Sequence, residues 1–448
     1  MKSPSHKATK TETLSQHLSP PLADWQLLDK GCDKGGDKGW QLSLWQHSLQ
    51  FCVAAIGLGL VLAAGSGYAG PGPADTNFFP IMAWNWTPKD PAVLAKMREC
   101  GLTVAGFVTP DGLEACAAVG LKAIVSDART SDYDWSKVDE AKARTNVASL
   151  VSEVGQHPAL YGYYLRDEPS AGMFTGLAKV ARLVRELSQD KWPYINLFAD
   201  YASAEQLGTT NYADYLEQFI ATCHPAIISY DNYSLMDDGS VRANYWTNLE
   251  AVRAASKKHG LEFWNIVLAT PHFNYRELSA ADYRFQVYTT LAYGGRGISY
   301  YTYLTPAWGN YRMGPIDQFG HQTPEWYHMQ HVNLKVQKLA PTLLQLTSDA
   351  VYHFGQVPTG ASGPPTNSLL TSAGSDAFMV GEFTHRDGSR GLMIVNKDLA
   401  KSHACTLKFR QPPRRLQSVS PYNGTLAQFG GEGIWLAPGA GALLKIEP

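Results

Sequence analysis

The sequence predicts an α/β protein, a (β/α)8 TIM barrel followed by a small antiparallel β-sandwich, on three observations. From about residue 78, short runs of β-branched and aromatic residues alternate with longer amphipathic stretches, and eight such pairs can be counted. After Pro341 the alternation gives way to short strand-like runs separated by turn residues. The length of 448 residues suits both parts, since such a barrel takes about 250 residues and one core rarely grows much beyond that.

The elements follow in chain order. Residues 1–69 read as a leader. Residues 1–50 are polar, rich in Lys, Gly and Gln, and without periodicity. Phe51 to Gly65 is one uncharged apolar run, and Ser66-Gly67-Tyr68-Ala69 supplies the small residues a signal peptidase requires. That run is shorter than the ~20 residues needed to span a bilayer, so an exported chain with no permanent span after cleavage is expected. The alternative is an uncleaved anchor over residues 51–65 behind a cytoplasmic tail. The long polar segment ahead of the run points to a translation start further downstream.

Residues 70–345 hold the predicted barrel, with strands at Phe79–Trp84, Thr103–Val108, Lys122–Ser126, Tyr161–Leu165, Tyr194–Phe198, Ile227–Tyr230, Phe263–Leu268 and Gly297–Tyr303. Helices between them carry apolar residues three and four apart, as in Leu177, Val180, Ala181, Val184 and Leu187, and a last one is expected near Trp326 to Leu339. Residues 346–448 hold the β-domain. There, Ala377–Thr384 and Gly391–Asn396 form a hairpin, and Cys405–Phe409, Thr425–Phe429 and Ala442–Ile446 add strands. Thr359 to Pro365 is a surface loop. Cys100, Cys116, Cys223 and Cys405 match no zinc or redox spacing and read as buried thiols.

Composition narrows the function. The formal net charge of −2 offers no basic stripe for a nucleic acid, so a neutral ligand fits better. Aromatic residues reach 11%, which suits core packing and also rings that stack on sugar faces. No glycine-rich phosphate loop follows any strand, no histidine spacing suggests a metal, and no cofactor is called for.

In such a barrel the reactive groups gather at the C-terminal strand ends. Polar and aromatic residues expected there are Trp84, Asn85 and Trp86, then Asp127, Asp167 and Glu168, then Asn196, Asp200, Asp231 and Tyr233, and finally His272, Tyr303 and Trp308. The most informative segment is Tyr161-Gly162-Tyr163-Tyr164-Leu165-Arg166-Asp167-Glu168-Pro169. An apolar strand running into two acids and a proline puts like charges at a pocket rim, where repulsion and partial burial raise a carboxyl pKa toward what a general acid needs. Helix capping and pairing with Arg166 are the structural alternatives. Asp231, at the mouth of the sixth strand, is the second candidate carboxylate. Trp84, Trp86, Tyr233, Tyr303 and Trp308 offer flat faces to pyranose C–H groups, Asn85 and Asn196 can bond hydroxyls, and Asp127 and His272 complete the substrate-binding set.

Asp167-Glu168-Pro169, Ile195-Asn196-Leu197-Phe198, Ile228-Ser229-Tyr230-Asp231-Asn232-Tyr233, Arg284-Phe285-Gln286 and Leu291-Ala292-Tyr293-Gly294-Gly295-Arg296-Gly297-Ile298, in that order, resemble bacterial barrel glycoside hydrolases of the clan-A, beta-galactosidase-like kind. The likeness covers roughly residues 78–345 and implies Glu168 as acid/base. The sequence departs from the clan in two places. Asp167 stands where an Asn usually precedes the acid, and Phe263-Trp264-Asn265-Ile266-Val267-Leu268 does not end in the nucleophilic Glu; Glu277, further on, is read as a helix cap. Asp231 is therefore expected to serve as nucleophile, base or charge stabiliser, about 5–5.5 Å from the acid for retention or ~6.5–9.5 Å for inversion. Two other readings stand beside this one. The adjacent Asp167-Glu168 pair also resembles that of the substrate-assisted N-acetylhexosaminidases, and the missing strand-7 glutamate fits a carbohydrate-binding barrel without catalysis.

Overall fold

The computed structural model describes residues 78–429 and 433–447, so the leader and its apolar run lie outside the described residues. No described helix is long and apolar enough to cross a membrane.

Eight parallel strands close into a barrel: β1 Ile81–Ala83, β2 Val104–Val108, β3 Lys122–Val125, β4 Leu160–Asp167, β5 Trp192–Leu197, β6 Ile227–Asp231, β7 Glu262–Leu268 and β8 Gly297–Tyr301, with β8 pairing back onto β1. Each coincides with a predicted strand. β4 runs two residues further than expected, through Asp167, and β8 stops two residues sooner, at Tyr301.

Alternation along the strands separates two cores. Outward residues pack under the helices: Phe174–Leu187 buries Leu177, Val180, Ala181 and Val184 against the barrel wall, the stripe that its spacing predicts. Inward residues fill the lumen with Met82, Trp84, Phe107, Ile124, Tyr161, Trp192, Tyr194, Trp264 and Ile266. Each such ring contributes about 1.5–3 kcal/mol by leaving water. Trp264 is the hub, with Tyr161, Trp192 and Tyr194 ring centroids 6.1, 5.5 and 6.1 Å away. Its neighbour on β8 must be Gly297, because a Cβ there would lie 2.6 Å from the Trp264 ring. Six buried aromatic rings thus make a plug beneath the mouth of the barrel.

The Pro324–Leu343 helix continues through Pro341, where the sequence suggested a break. Pro341 falls in the last turn, where losing one N–H costs little cooperative structure. Ten short strands follow: β9 Leu346–His353, β10 Leu370–Ser372, β11 Phe378–His385, β12 Arg390–Asn396, β13 His403–Cys405, β14 Lys408–Phe409, β15 Arg415–Val419, β16 Leu426–Gln428, β17 Ile434–Leu436 and β18 Gly441–Glu447. Six make an antiparallel sheet in the order β16-β15-β18-β12-β11-β9, and β10-β14 and β13-β17 form two small pairs. The hairpin β11-β12 is as predicted, the expected strand Cys405–Phe409 divides into β13 and β14, and β9, β10, β15 and β17 were not foreseen. All four cysteines among the described residues are free and buried.

The sheet lies against the Ala280–Ala292 helix, which is buried on nearly every side. Gly381 of β11 meets the Ala292 carbonyl so closely that a Cβ would come within 2.1 Å of its oxygen. Arg284 Nε donates to Pro438 O at 2.9 Å, while Arg296 donates to the carbonyls of Leu343 and Leu346. The Arg284-Phe285-Gln286 and Gly294-to-Ile298 motifs therefore serve this seam and the end of β7, where Gln286 bonds both N–H and C=O of Leu268.

Candidate active site

An irregularity in β4 decides which acid faces the lumen. Tyr164 pairs with Tyr194 of β5, yet Arg166 pairs with Ile195 and Asp167 with Asn196. The extra residue inverts the alternation, so Asp167 joins Asn196 on the inner face while Arg166 is aligned with the outward Ile195. On β6 the inward column is Ile227, Ser229, Asp231, and Asn196 pairs with Ser229.

Asn196 ties the two acids together. Its Nδ2 donates to Asp167 Oδ1 and to Asp231 Oδ1, each at 2.9 Å, and its Oδ1 accepts from Ser229 Oγ at 3.1 Å. Since the Ser229 proton is committed, Tyr194 donates its own hydroxyl to Ser229 Oγ, at 2.8 Å. This chain fixes the amide orientation, so both N–H groups must point at carboxylates. Asn196 was expected to meet a ligand hydroxyl; instead it is 2% exposed and fully engaged with protein groups.

Glu168 follows with its N–H bonded to Asn196 O at 2.9 Å and a φ of +42°, a conformation costing a non-glycine residue about 1–3 kcal/mol. The residue as a whole is of intermediate exposure. Burial, then Asp231, then Asp167 push its carboxyl well above the usual carboxylate range, and Arg166 offsets only part of this. Burial also raises Asp167 and Asp231; the neighbouring Asp167 charge raises Asp231 further, and the Asn196 hydrogen bonds oppose both shifts. The three acids lie at the ends of two strands within electrostatic reach of one another.

Aromatic rings surround them. Tyr301 stacks on Tyr233 with centroids 5.5 Å apart and meets Trp84 edge-on at 5.6 Å. His272, 4% exposed, sits within 5.6 Å of the rings of Tyr233, Tyr275, Tyr301 and Tyr311. Burial drives its pKa down to about 4, and its Nδ1 donates to Thr270 O at 2.9 Å, which leaves Nε2 as an acceptor. Tyr201 accepts from the Tyr233 N–H at 3.3 Å and lies under the Arg242 guanidinium at 4.5 Å.

Other predicted positions fall elsewhere. Asp127 caps the Ala128–Ser131 helix and holds Arg129 with both carboxyl oxygens at 2.8 Å, an arrangement that lowers its pKa. Tyr303 is 1% exposed and accepts from Trp326 Nε1 at 3.0 Å, so it belongs to the wall under the last barrel helix, and Tyr301 is the strand-8 ring at the mouth. Asn85 Oδ1 folds back onto the Trp86 N–H at 2.6 Å; Trp86 and Trp308 are exposed rim rings, the latter edge-on to Tyr311. Asp200 accepts from Thr247 at 2.5 Å, and Glu277 is exposed just ahead of the Ser279 capping box. Tyr301, Tyr201 and Ser229 were missed. Tyr301 shares its alternation with Tyr303, and only the strand end distinguishes them; Ser229 could have been found from its place two residues before Asp231.

Among the described residues no group of three or more His, Cys, Asp or Glu side chains is arranged to hold a metal ion.

No protein-family model matches the sequence, and no curated protein does. Solved structures do match in three dimensions. A glycoside hydrolase family 5 protein from Bacteroides vulgatus ATCC 8482 aligns with 83% of this chain and 89% of its own at a TM-score of 0.53 and 12% identity. Another structure, described as a glycoside hydrolase, aligns with 83% of this chain and 92% of its own at a TM-score of 0.53 and 11% identity. A beta-galactosidase from the psychrophilic Marinomonas ef1 aligns over 60% of this chain at a TM-score of 0.46 and 12% identity; the alignment spans 62% of that enzyme's length. At such identities the likeness concerns the fold. The barrel with its C-terminal sheet is an architecture shared with glycoside hydrolases, as the sequence resemblance implied.

Proposed function

We propose that the chain is a glycoside hydrolase acting on oligo- or polysaccharides, with Glu168 as general acid/base and Asp231 as the second carboxylate. One observation carries the reading. Asn196 Nδ2 holds Asp231 of β6 and Asp167, the residue before Glu168, at 2.9 Å each, and the charges of both acids act with burial to push the Glu168 carboxyl well above the usual carboxylate range. Two acids that oppose each other's ionisation in a desolvated cup divide naturally into a protonated donor and an ionised partner.

The chemistry follows from that division. Glu168, kept protonated, gives its proton to the glycosidic oxygen as the C1–O bond breaks. The positive charge growing at C1 and the ring oxygen is met by Asp231, which either attacks C1 or draws a proton from an attacking water. Asp167 adds negative charge nearby, and Asn196 positions Asp167 and Asp231 by its two N–H bonds. Tyr233, Tyr301 and Trp84, with Trp86 and Trp308 at the rim, offer apolar faces to the sugar, and neutral His272 offers an acceptor.

The test is turnover of a panel of aryl glycosides by the wild type and Glu168→Gln. Loss of general acid chemistry lowers kcat by about 10²–10⁴-fold on substrates with poor leaving groups and far less on activated ones. Equal turnover by both proteins on every substrate would falsify the assignment. Turnover confined to N-acetylated sugars would move the second role from Asp231 to Asp167.

A further inference from the structure

Away from the barrel mouth, a groove of about 500 Å³ runs between the Pro324–Leu343 helix and the turn joining β15 to β16. Tyr327, His331, Lys335 and Lys338 recur along that helix at steps of four, four and three, which puts them in one stripe. Pro421 and Tyr422 form the facing wall.

Two properties set this groove apart from ordinary surface. Its rings are uncovered: Tyr327 is 56% and Tyr422 72% exposed. Its charges are also of one sign, since Lys335 and Lys338 line it together with His331 and no Asp or Glu does. Among the described residues His331, Lys335 and Lys338 join no salt bridge. Lys335 is half-buried, with its Nζ 5.3 Å from the centroid of the Tyr422 ring. Burial and the Arg284 charge lower its pKa, and burial together with Lys335, Arg284 and His328 does the same for His331. Arg284 acts on both groups with the same sign, so Lys335 lies half-buried beside a positive neighbour.

We propose that this groove binds an acidic saccharide, with the Lys335 and Lys338 ammonium groups receiving uronate carboxylates and the Tyr327 and Tyr422 rings lying against the sugar C–H faces. The volume falls within the roughly 300–1,000 Å³ typical of small-ligand sites. Ammonium groups pair as point charges with isolated carboxylates. A nucleic acid would need a longer run of cations than this groove supplies, on a chain whose formal net charge is −2. The anion preference rests on the groove alone; the choice of a sugar as the carrier of the carboxylate rests on the proposed glycosidase reading.

The experiment is calorimetric titration of the full chain, wild type and Glu168→Gln, with tetragalacturonate, a neutral tetragalactoside and tetraglutamate. The expected result is saturable tetragalacturonate binding in both proteins, weakened by salt and at least about tenfold weaker for the other two ligands. Lys335→Gln and Tyr422→Ala, both surface substitutions, should each weaken it about tenfold, equivalent to about 1.4 kcal/mol. Absence of saturable binding, equal affinity for the neutral sugar, or indifference to both substitutions overturns the proposal. Equal affinity for tetraglutamate overturns its sugar component. Failure of the glycosidase reading would appear instead as unchanged turnover by Glu168→Gln, a separate readout.

Discussion

At the residue scale the site is organised by an amide. Asn196 donates to Asp167 and Asp231 through one nitrogen, and Ser229 and Tyr194 lock its orientation from below. Removing a charge from this group should therefore register on Glu168. Asp167→Asn takes away one negative neighbour, so the Glu168 pKa falls and it loses its proton at lower pH. The basic limb of the kcat/KM profile, set by loss of the proton from the acid, should move toward lower pH. A profile in which that limb stays fixed would show that Asp167 and Glu168 do not sense each other. That acids stand at the ends of β4 and β6 was legible in the sequence because apolar runs stop at them. Their geometry was not, because Asn196 reads equally well as a ligand contact or as a bridge until its partners are known.

At the scale of elements, the extra residue in β4 gives Asp167 its inward aim, and nothing in Tyr164-Leu165-Arg166-Asp167 marks it. Such an insertion is a property of the pairing with β5, which a single strand does not encode. The same limit explains Tyr301 and Tyr303, which share one alternation and differ only in lying inside or beyond β8. The barrel strands and the stripe of the Phe174–Leu187 helix were readable because strand-like and helical runs alternate through residues 78–345. β10 and β17, at three residues each, are too short for a period to appear. The contact between β11 and the Ala280–Ala292 helix gives a prediction of its own. Gly381→Ala must displace the Ala292 carbonyl, since the new methyl would lie 2.1 Å from its oxygen. A loss of about 1–3 kcal/mol in urea unfolding is expected from such overpacking; an unchanged midpoint would mean that the seam yields freely.

On the scale of the whole molecule, the barrel and the C-terminal sheet share apolar surface. One continuous core includes Tyr288 and Leu291 of the helix with Met379, Phe383, Met393 and Leu443 of the sheet. The change of pattern near Pro341 predicted both parts but not this shared core, because helix Ala280–Ala292 intersperses Asp282, Arg284, Gln286, Thr289 and Thr290 among its apolar residues, and no clean apolar stripe marks a second neighbour. Deleting residues 441–448 removes β18, which lies between β12 and β15 and carries Leu443, Leu444 and Ile446 into the two cores. The shortened chain should unfold in more than one step by tryptophan fluorescence and circular dichroism, with the sheet melting first. Coincident transitions at the full-length midpoint would contradict this.

The position of β18 also has a meaning in time. A ribosome delivers this strand after the other five of its sheet, yet it fills the middle, so β15 and β16 have no partner joining them to β12, β11 and β9 until β18 emerges. Until then the nascent polypeptide carries two unpaired strand edges, on β12 and β15, which is the interval in which a holdase has something to grip.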